Sequence, residues 1–341
     1  MNEHPLANRR THIIVIRKLL QRFHHPEPAA EGEYRPRLEA RFFHPRFWGT
    51  WLGIGLIRLV IKLPRRWRDR IGNWLGDRAW ENHPKRREII LINLRWCFPD
   101  MLEHEREAMG RRNLRLMMRT FLDYGFLWWA GARTLDRLIT IEGEEHIRDA
   151  LNEGRSVLLL TGHAVALDFG GLAISRRFAV VGLIKTMRNE LLEYFLARGR
   201  IRFGAHLCLR ESGIRGVIKA VKQGHIFYYV PDEDLGGSQR TVFAPFFGVP
   251  QATITALGRM SRMANAVVLP TMSYFDADTG CYRVIIDPPL EDFPTGDEQR
   301  DAERQNAEIE RLVRRAPEQY MWSFRLFQTR PEGEENPYPY G

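Results

Sequence analysis

The chain has 341 residues, 44% of them hydrophobic and 27% charged, which excludes a disordered polymer and suffices for one large domain with an appendage or for two modest ones. Lys and Arg number 51 against 42 Asp and Glu, giving +9 and a pI near 9.7, so the expected partners are anionic: nucleic acid, an anionic membrane surface, phosphorylated lipid or an acidic carrier protein. Cys97, Cys208 and Cys281 are odd in number and lack C-x-x-C spacing, which argues against a disulfide framework or a thiolate zinc site and fits a reducing compartment.

Residues 1–40 hold no sustained period and contain Pro26, Pro28 and Pro36, so they read as an N-terminal extension with no chemistry and one short helix at Ile13–Leu20. No cleavable signal peptide is expected, since this stretch is charged and lacks a small-residue cleavage pattern. Residues 41–66 form an apolar, membrane-associating segment. Within it "FWGTWLGIGLIRLVIKLP", Phe47 to Pro64, reads as a helix started by Pro45 and stopped by Pro64. At 1.5 Å per residue it spans about 24–27 Å, just short of a hydrocarbon core of about 30 Å. Arg58 and Lys62 share one face, and "PRRWRDR" follows at 64–70. A buried or interfacial helix competes here with a membrane anchor whose cations snorkel to headgroups; the basic flank favours the anchor, with this end on the cytoplasmic side.

Residues 67–138 have helical spacing, with Leu114, Met117, Met118, Phe121, Leu122 and Tyr124 set among arginines. From 139 to 331 the texture changes. Short apolar runs at 156–161, 178–184, 225–231, 266–272 and 281–289 alternate with helical stretches at 164–176, 189–202, 212–223 and 250–263, and a last charged helix ends before Pro317. The alternation predicts an α/β fold with a largely parallel central sheet flanked by helices. Residues 332–341 are a C-terminal tail.

Ligands of open α/β sheets sit at the carboxyl ends of the strands. Two polar turns fall there: "TGHAVALDFGG" at 161–171 and "PDEDLGG" at 231–237. His163 and Asp168 are five positions apart, about 140° around a helix, so they can meet only if His163 precedes the helix and Asp168 lies in its first turns. The carboxylate can then reach one ring nitrogen and leave the other to the pocket, as base and orienter without a neighbouring nucleophile. The nucleophile is then a substrate hydroxyl, which His163 deprotonates for attack on an activated acyl carbon while Asp168 stabilises the imidazolium. Gly162, Gly170 and Gly171 allow close backbone approach. The competing reading is a buried histidine satisfied by a helix-terminal carboxylate.

Other chemistries fit less well. "DEDLGG" begins like a calcium loop, but its twelfth position from Asp232 is Phe243 rather than a glutamate. His163, Asp168, Asp232 and Asp234 are the donors a metal could use, yet no second histidine stands at ligand spacing, so no metal or cofactor is expected. Helix-turn-helix, zinc-finger and RNP patterns are missing, which argues against nucleic acid. "FAPFFG" at 243–248 suits either an acyl-chain groove or core packing.

"TGHAVALDFGG" resembles the H-x4-D/E block of glycerolipid-type acyltransferases. In order with it stand "FHPRFW", "NLRWCFPD", "ARGRIRFG", "GVIKAVKQG", "YVPDEDLG", "VFAPFFGV" and "APEQYMWSFRLFQTRPEG". Together they make the chain, from Phe42 to Pro331, similar to the late (secondary) acyltransferases of lipid A biosynthesis. That resemblance implies an enzyme that moves a fatty acyl chain from acyl carrier protein to a hydroxyacyl chain of a Kdo-bearing lipid A precursor, at the cytoplasmic face of the inner membrane and among its lipids. It implies His163 as general base and Asp168 as its partner, with aspartate where many members carry glutamate. It also places Arg188 and Arg210 near substrate, Arg188 or backbone N–H groups at the oxyanion, and Asp232, Asp234 and Gly236 in a substrate-lining turn. Arg188, Arg198, Arg200 and Arg202 read equally as a solvated helix face. A glycerophospholipid or lysophospholipid acceptor, or a catalytically silent lipid-binding relative, are the competing readings.

Overall fold

A computed structural model describes residues 33–236 and 240–339, so the helix expected at Ile13–Leu20 lies outside the described residues. The chain runs helical first: α1 (Trp48–Val60), α2 (Arg65–Asn82), α3 (Pro84–Cys97), α4 (Glu103–Trp129) and α5 (Ala132–Leu138). It then alternates through β1 (Ile139–Glu142), α6 (Glu144–Asn152), β2 (Ser156–Leu160), α7 (Leu167–Ser175), β3 (Val180–Ile184), α8 (Glu190–Ile201), β4 (His206–Leu209), α9 (Arg215–Lys222) and β5 (Ile226–Tyr229). A hairpin of β6 (Thr241–Phe246) and β7 (Val249–Ile254) follows, then α10 (Ala256–Ala264), β8 (Ala266–Asp276), β9 (Cys281–Ile286) and α11 (Glu298–Arg314).

Seven strands form one sheet in the order β1-β9-β8-β2-β5-β3-β4. The five from β8 to β4 are parallel; β9 runs antiparallel to β8, and β1 is parallel to β9. The central strands are buried on both faces, which is why β2 reads Val-Leu-Leu-Leu rather than alternating. One face is covered by α9 and α10, whose Val217, Val221, Leu257 and Met260 pack with Leu158, Leu160, Phe227 and Tyr229. The other is covered by α7 and α8, whose Phe169, Leu172, Leu191 and Phe195 pack with Val157, Leu159, Val180 and Ile226. Gly170 permits the closest of these contacts: a Cβ there would lie 1.9 Å from Ser273 Oγ and 2.8 Å from the Tyr228 hydroxyl.

The helical segment is tied to the sheet by buried charge. Arg68 and Arg119 both pair with Asp123, and Tyr282 of β9 donates to Asp123 Oδ2 at 2.9 Å. Helix α1 is shorter than the sequence suggested. Its 13 residues end at Val60, and a turn through Ile61–Leu63 leads into Pro64, whose ring cannot continue a helix. No helix among the described residues is long and apolar enough to cross a membrane.

The stretch 250–263 is not one helix. Phe247 and Gly248 take positive φ of 50° and 77°, the geometry of a two-residue hairpin turn, and the chain returns along β7 before α10 starts at Ala256. Phe246 and Phe247 are buried against Tyr320 and Trp322, so these phenylalanines belong to the core rather than to a groove wall.

Candidate active site

Both polar turns do lie at strand carboxyl ends, the first after β2 and the second after β5, which are hydrogen-bonded neighbours. His163 sits in the turn before α7 and Asp168 is that helix's second residue. A C-terminal segment holds the turn in place: Met321 N donates to His163 O and Val165 N to Gln319 O, each at 2.8 Å. Two buried asparagines fix that segment in turn. Asn113 Nδ2 donates to Glu318 O and Tyr320 O at 2.8 and 2.7 Å, and Asn93 Nδ2 to Trp322 O and Phe324 O at 2.7 Å.

The ring of His163 is held by Asp232. Nδ1 lies 2.6 Å from Asp232 Oδ1, while the His163 backbone N–H and the Tyr320 hydroxyl both donate to Oδ2 at 2.7 Å. Gly162 makes room for this carboxylate, since a Cβ there would sit 3.2 Å from Oδ2 and 3.0 Å from Ile309 Cγ2. Phe324 presents its ring edgewise to the imidazole, centroids 4.9 Å apart. With Nδ1–H given to the carboxylate, Nε2 carries the free lone pair.

Asp168 does not fill the orienting position expected for it. Arg200 of α8 grips it bidentately at 2.7 and 3.1 Å, and the Tyr124 hydroxyl of α4 donates to Oδ2 at 2.5 Å. The physical reason is topological. Asp168 leaves α7 toward α8 and α4, whereas strand β5 delivers a second carboxylate directly to the imidazole.

The electrostatics follow this arrangement. Burial lowers the His163 pKa, but the charge and hydrogen bond of Asp232, aided by Glu233, outweigh it against Arg210 and hold the ring above the ordinary histidine value. Burial works to raise Asp232 and Asp168. His163 overrides it for Asp232, and Arg200 and Tyr124 override it for Asp168, so both stay below the usual carboxylate range. Both are ionised at neutral pH.

His163, Asp168 and Arg200 open onto a cavity of about 450 Å³, within the range of small-molecule sites. Its walls are mainly apolar, including Leu172, Gly182, Leu207, Phe227 and Met260, and Lys185, Arg210 and Glu233 also line it. Gly182 is an open point: a Cβ there would meet only Leu207 Cδ2, at 3.8 Å.

The other expected site residues divide. Arg210 lines the cavity and pairs with Glu233 at 3.0 Å. Arg188 is exposed on the loop between β3 and α8 and is not among the residues that line the cavity, although Lys185 of the same loop is. Asp234 is buried and turned from the cavity, accepting from Thr329 N at 2.6 Å, Thr329 Oγ1 at 2.8 Å and Gly236 N at 2.9 Å. Gly236 supplies the φ of 63° that this turn requires. Arg202 donates to Leu127 O and Ala130 O at 3.1 and 2.6 Å, and Arg198 is exposed. Tyr124, Tyr320 and Phe324 were not anticipated. The only sequence signal for the last two was the block "APEQYMWSF", which carried no chemical role of its own.

A histidine paired with a buried carboxylate and lining a largely apolar cavity at the strand ends of a mostly parallel sheet marks the site of an α/β enzyme. Residues 35–329 match the model of the bacterial lipid A biosynthesis acyltransferases. The lipid A biosynthesis lauroyltransferase of Escherichia coli strain K12 is 34% identical over 304 residues, covering 89% of this chain and 99% of that protein. The lipid A biosynthesis myristoyltransferase of the same strain is 32% identical, covering 90% and 95%. A lipid A biosynthesis acyltransferase of Haemophilus influenzae is 32% identical, covering 89% and 94%. The chain belongs to the bacterial lipid A biosynthesis acyltransferase family, and it is an acyltransferase.

Proposed function

We propose that this protein transfers a fatty acyl chain from acyl carrier protein to a hydroxyacyl chain of a Kdo-bearing lipid A precursor, with His163 as general base. The observation that carries the mechanism is the Asp232 clamp on Nδ1, which leaves Nε2 as the proton acceptor at the cavity. Nε2 takes the proton of the acceptor hydroxyl as its oxygen attacks the thioester carbon. The tetrahedral intermediate collapses, the C–S bond breaks, and the imidazolium returns the proton to the departing thiol. Asp232 stabilises the imidazolium through the hydrogen bond to Nδ1. Asp168 fixes the Arg200 guanidinium beside the reaction, where Arg200 and Arg210 meet the negative charge of the oxyanion or of the acceptor's phosphates. The apolar walls hold the acyl chain.

The acceptor reaches this site from a membrane surface. Trp48, Leu52, Leu56 and Leu59 are 64%, 66%, 52% and 60% exposed along one side of α1, while Ile54 and Ile57 on the other side are buried. At about 20 Å the helix is too short to span about 30 Å of hydrocarbon, but it suits lying in the plane of the inner membrane's cytoplasmic leaflet. Phe43, Trp67 and Trp74 are also exposed, and Arg66 and Arg70 supply the cations that anionic headgroups attract.

The test is mass spectrometry of a Kdo-bearing lipid A precursor incubated with purified protein and acyl carrier proteins loaded with chains of different length. One added acyl mass is expected. No gain with any donor, with gain on a lysophospholipid instead, would replace the acceptor.

A further inference from the structure

The site lies between two unlike surfaces. The apolar helix α1 packs on the α8 side of the sheet, where Trp51 meets Phe195 edgewise at 5.6 Å and Asn189 Nδ2 donates to Thr50 Oγ1 at 2.8 Å. The opposite side carries α9 and α10, which are in mutual contact and whose amino ends reach the cavity through Ile214, Ala256 and Arg259. Neither helix contains an acidic residue: α9 reads RGVIKAVK and α10 reads ALGRMSRMA.

Arg215, Lys219 and Lys222 occupy positions i, i+4 and i+7 of α9, so they share one face. All three are exposed, while Val217, Ile218, Ala220 and Val221 of the same helix are buried. Arg259 of the neighbouring α10 is also exposed. Among the described residues none of these four cations is ion-paired, in contrast to the arginines of α11, where Arg304, Arg311 and Arg314 each meet a carboxylate at 3.0 Å or less. Uncompensated cations on an otherwise regular surface are an electrostatic landing site.

We propose that the α9–α10 face is the docking surface for the donor, an acidic carrier protein that delivers its thioester arm past Ile214 into the cavity while the lipid acceptor enters from the α1 side. The proposal rests on the reading of an acyl carrier protein as donor. Charge complementarity selects this occupant, because an anionic bilayer is engaged by the apolar α1 side of the sheet and a single protein face cannot lie on both surfaces.

The test uses the full chain and the triple variant R215E/K219E/K222E with two donors: an acyl carrier protein thioester, and the same acyl group on N-acetylcysteamine, which has neither protein surface nor charge. With the carrier, the variant's KM rises about tenfold or more, and the steep rise of the wild-type KM with salt disappears. With the small thioester, wild type and variant agree within about twofold, which also shows the variant to be folded. An unchanged KM for the carrier, or an equal loss with both donors, overturns the docking surface. A wild-type protein that uses the small thioester and not the carrier overturns the donor reading on which it rests.

Discussion

Replacing Asp232 with asparagine keeps the shape of the side chain and removes its charge, and the hydrogen bonds around it dictate how the amide must sit. Oδ2 receives two donors, His163 N–H and the Tyr320 hydroxyl, whereas Oδ1 receives one. The amide oxygen therefore takes the Oδ2 position, and the NH₂ group faces His163 Nδ1. Nδ1 must then accept, and its proton moves to Nε2, where it blocks the base. Loss of a general base costs about a hundred- to ten-thousand-fold in rate, and we expect kcat to fall within that range with KM little changed. The pH profile carries the sharper signature. Asp232 holds His163 above the ordinary histidine value of about 6.5, so wild-type kcat/KM falls away on its acid side above that pH. Without the charge, the residual activity of D232N loses its acid limb only at lower pH. The assay is product formation by mass spectrometry from about pH 5 to 9, a range that brackets the ordinary histidine value. An Asp232→Asn enzyme within about tenfold of wild type, or with its acid limb unmoved, refutes this arrangement.

The same geometry sets further expectations. Asp168→Asn weakens the bidentate grip on Arg200 and leaves Asp232 in place, so its kcat falls while the acid limb moves less than in Asp232→Asn; an equal shift in both variants contradicts the assignment of Asp232 as the ring's partner. Both carboxylates are held below their ordinary value of about 3.9, so the stability they add is complete above that pH and is lost as pH falls through their lowered values. Acid titration of the thermal midpoint should show a shallower fall in either variant. Gly182→Met places a side chain in the open part of the cavity, and the preferred donor should shorten by about two carbons or more, with at least a roughly tenfold loss of kcat/KM for the original donor, read from a donor panel. Changing Leu52, Leu56 and Leu59 together to serine removes apolar area worth a few kcal/mol of membrane partitioning, so flotation with anionic vesicles should drop about tenfold or more at an unchanged melting temperature.

The α/β class and the parallel centre of the sheet were legible because buried central strands leave long apolar runs, and β2, β3, β5 and β8 all appear as such runs. Strands β1 and β4 were not: they are the two edges of the sheet, and their sequences, Ile-Thr-Ile-Glu and His-Leu-Cys-Leu, include polar residues instead of the unbroken apolar run of β5. Strand β7 was absorbed into a helix because the hairpin turn Phe247-Gly248 lacks the Asn or Asp that usually marks one. The position of His163 and of Asp168 at the start of α7 could be read from their spacing. The partner of the imidazole could not, because the pairing of β2 with β5 brings Asp232 across from 69 positions away, and no local pattern records which strands are neighbours. Asn93 and Asn113 were invisible for a similar reason. They sit inside helical stretches that read as packing, yet each holds the segment carrying Tyr320 and Phe324 by two hydrogen bonds.

The role of His163 as the base in acyl transfer is tested most directly by a single-turnover incubation of a lipid A precursor with acyl carrier protein thioester and stoichiometric enzyme, wild type beside His163→Ala. The precursor should gain one acyl mass with wild type and none over the same interval with the variant, whose melting curve and vesicle binding stay native. Acyl transfer by His163→Ala at the wild-type rate would contradict that role.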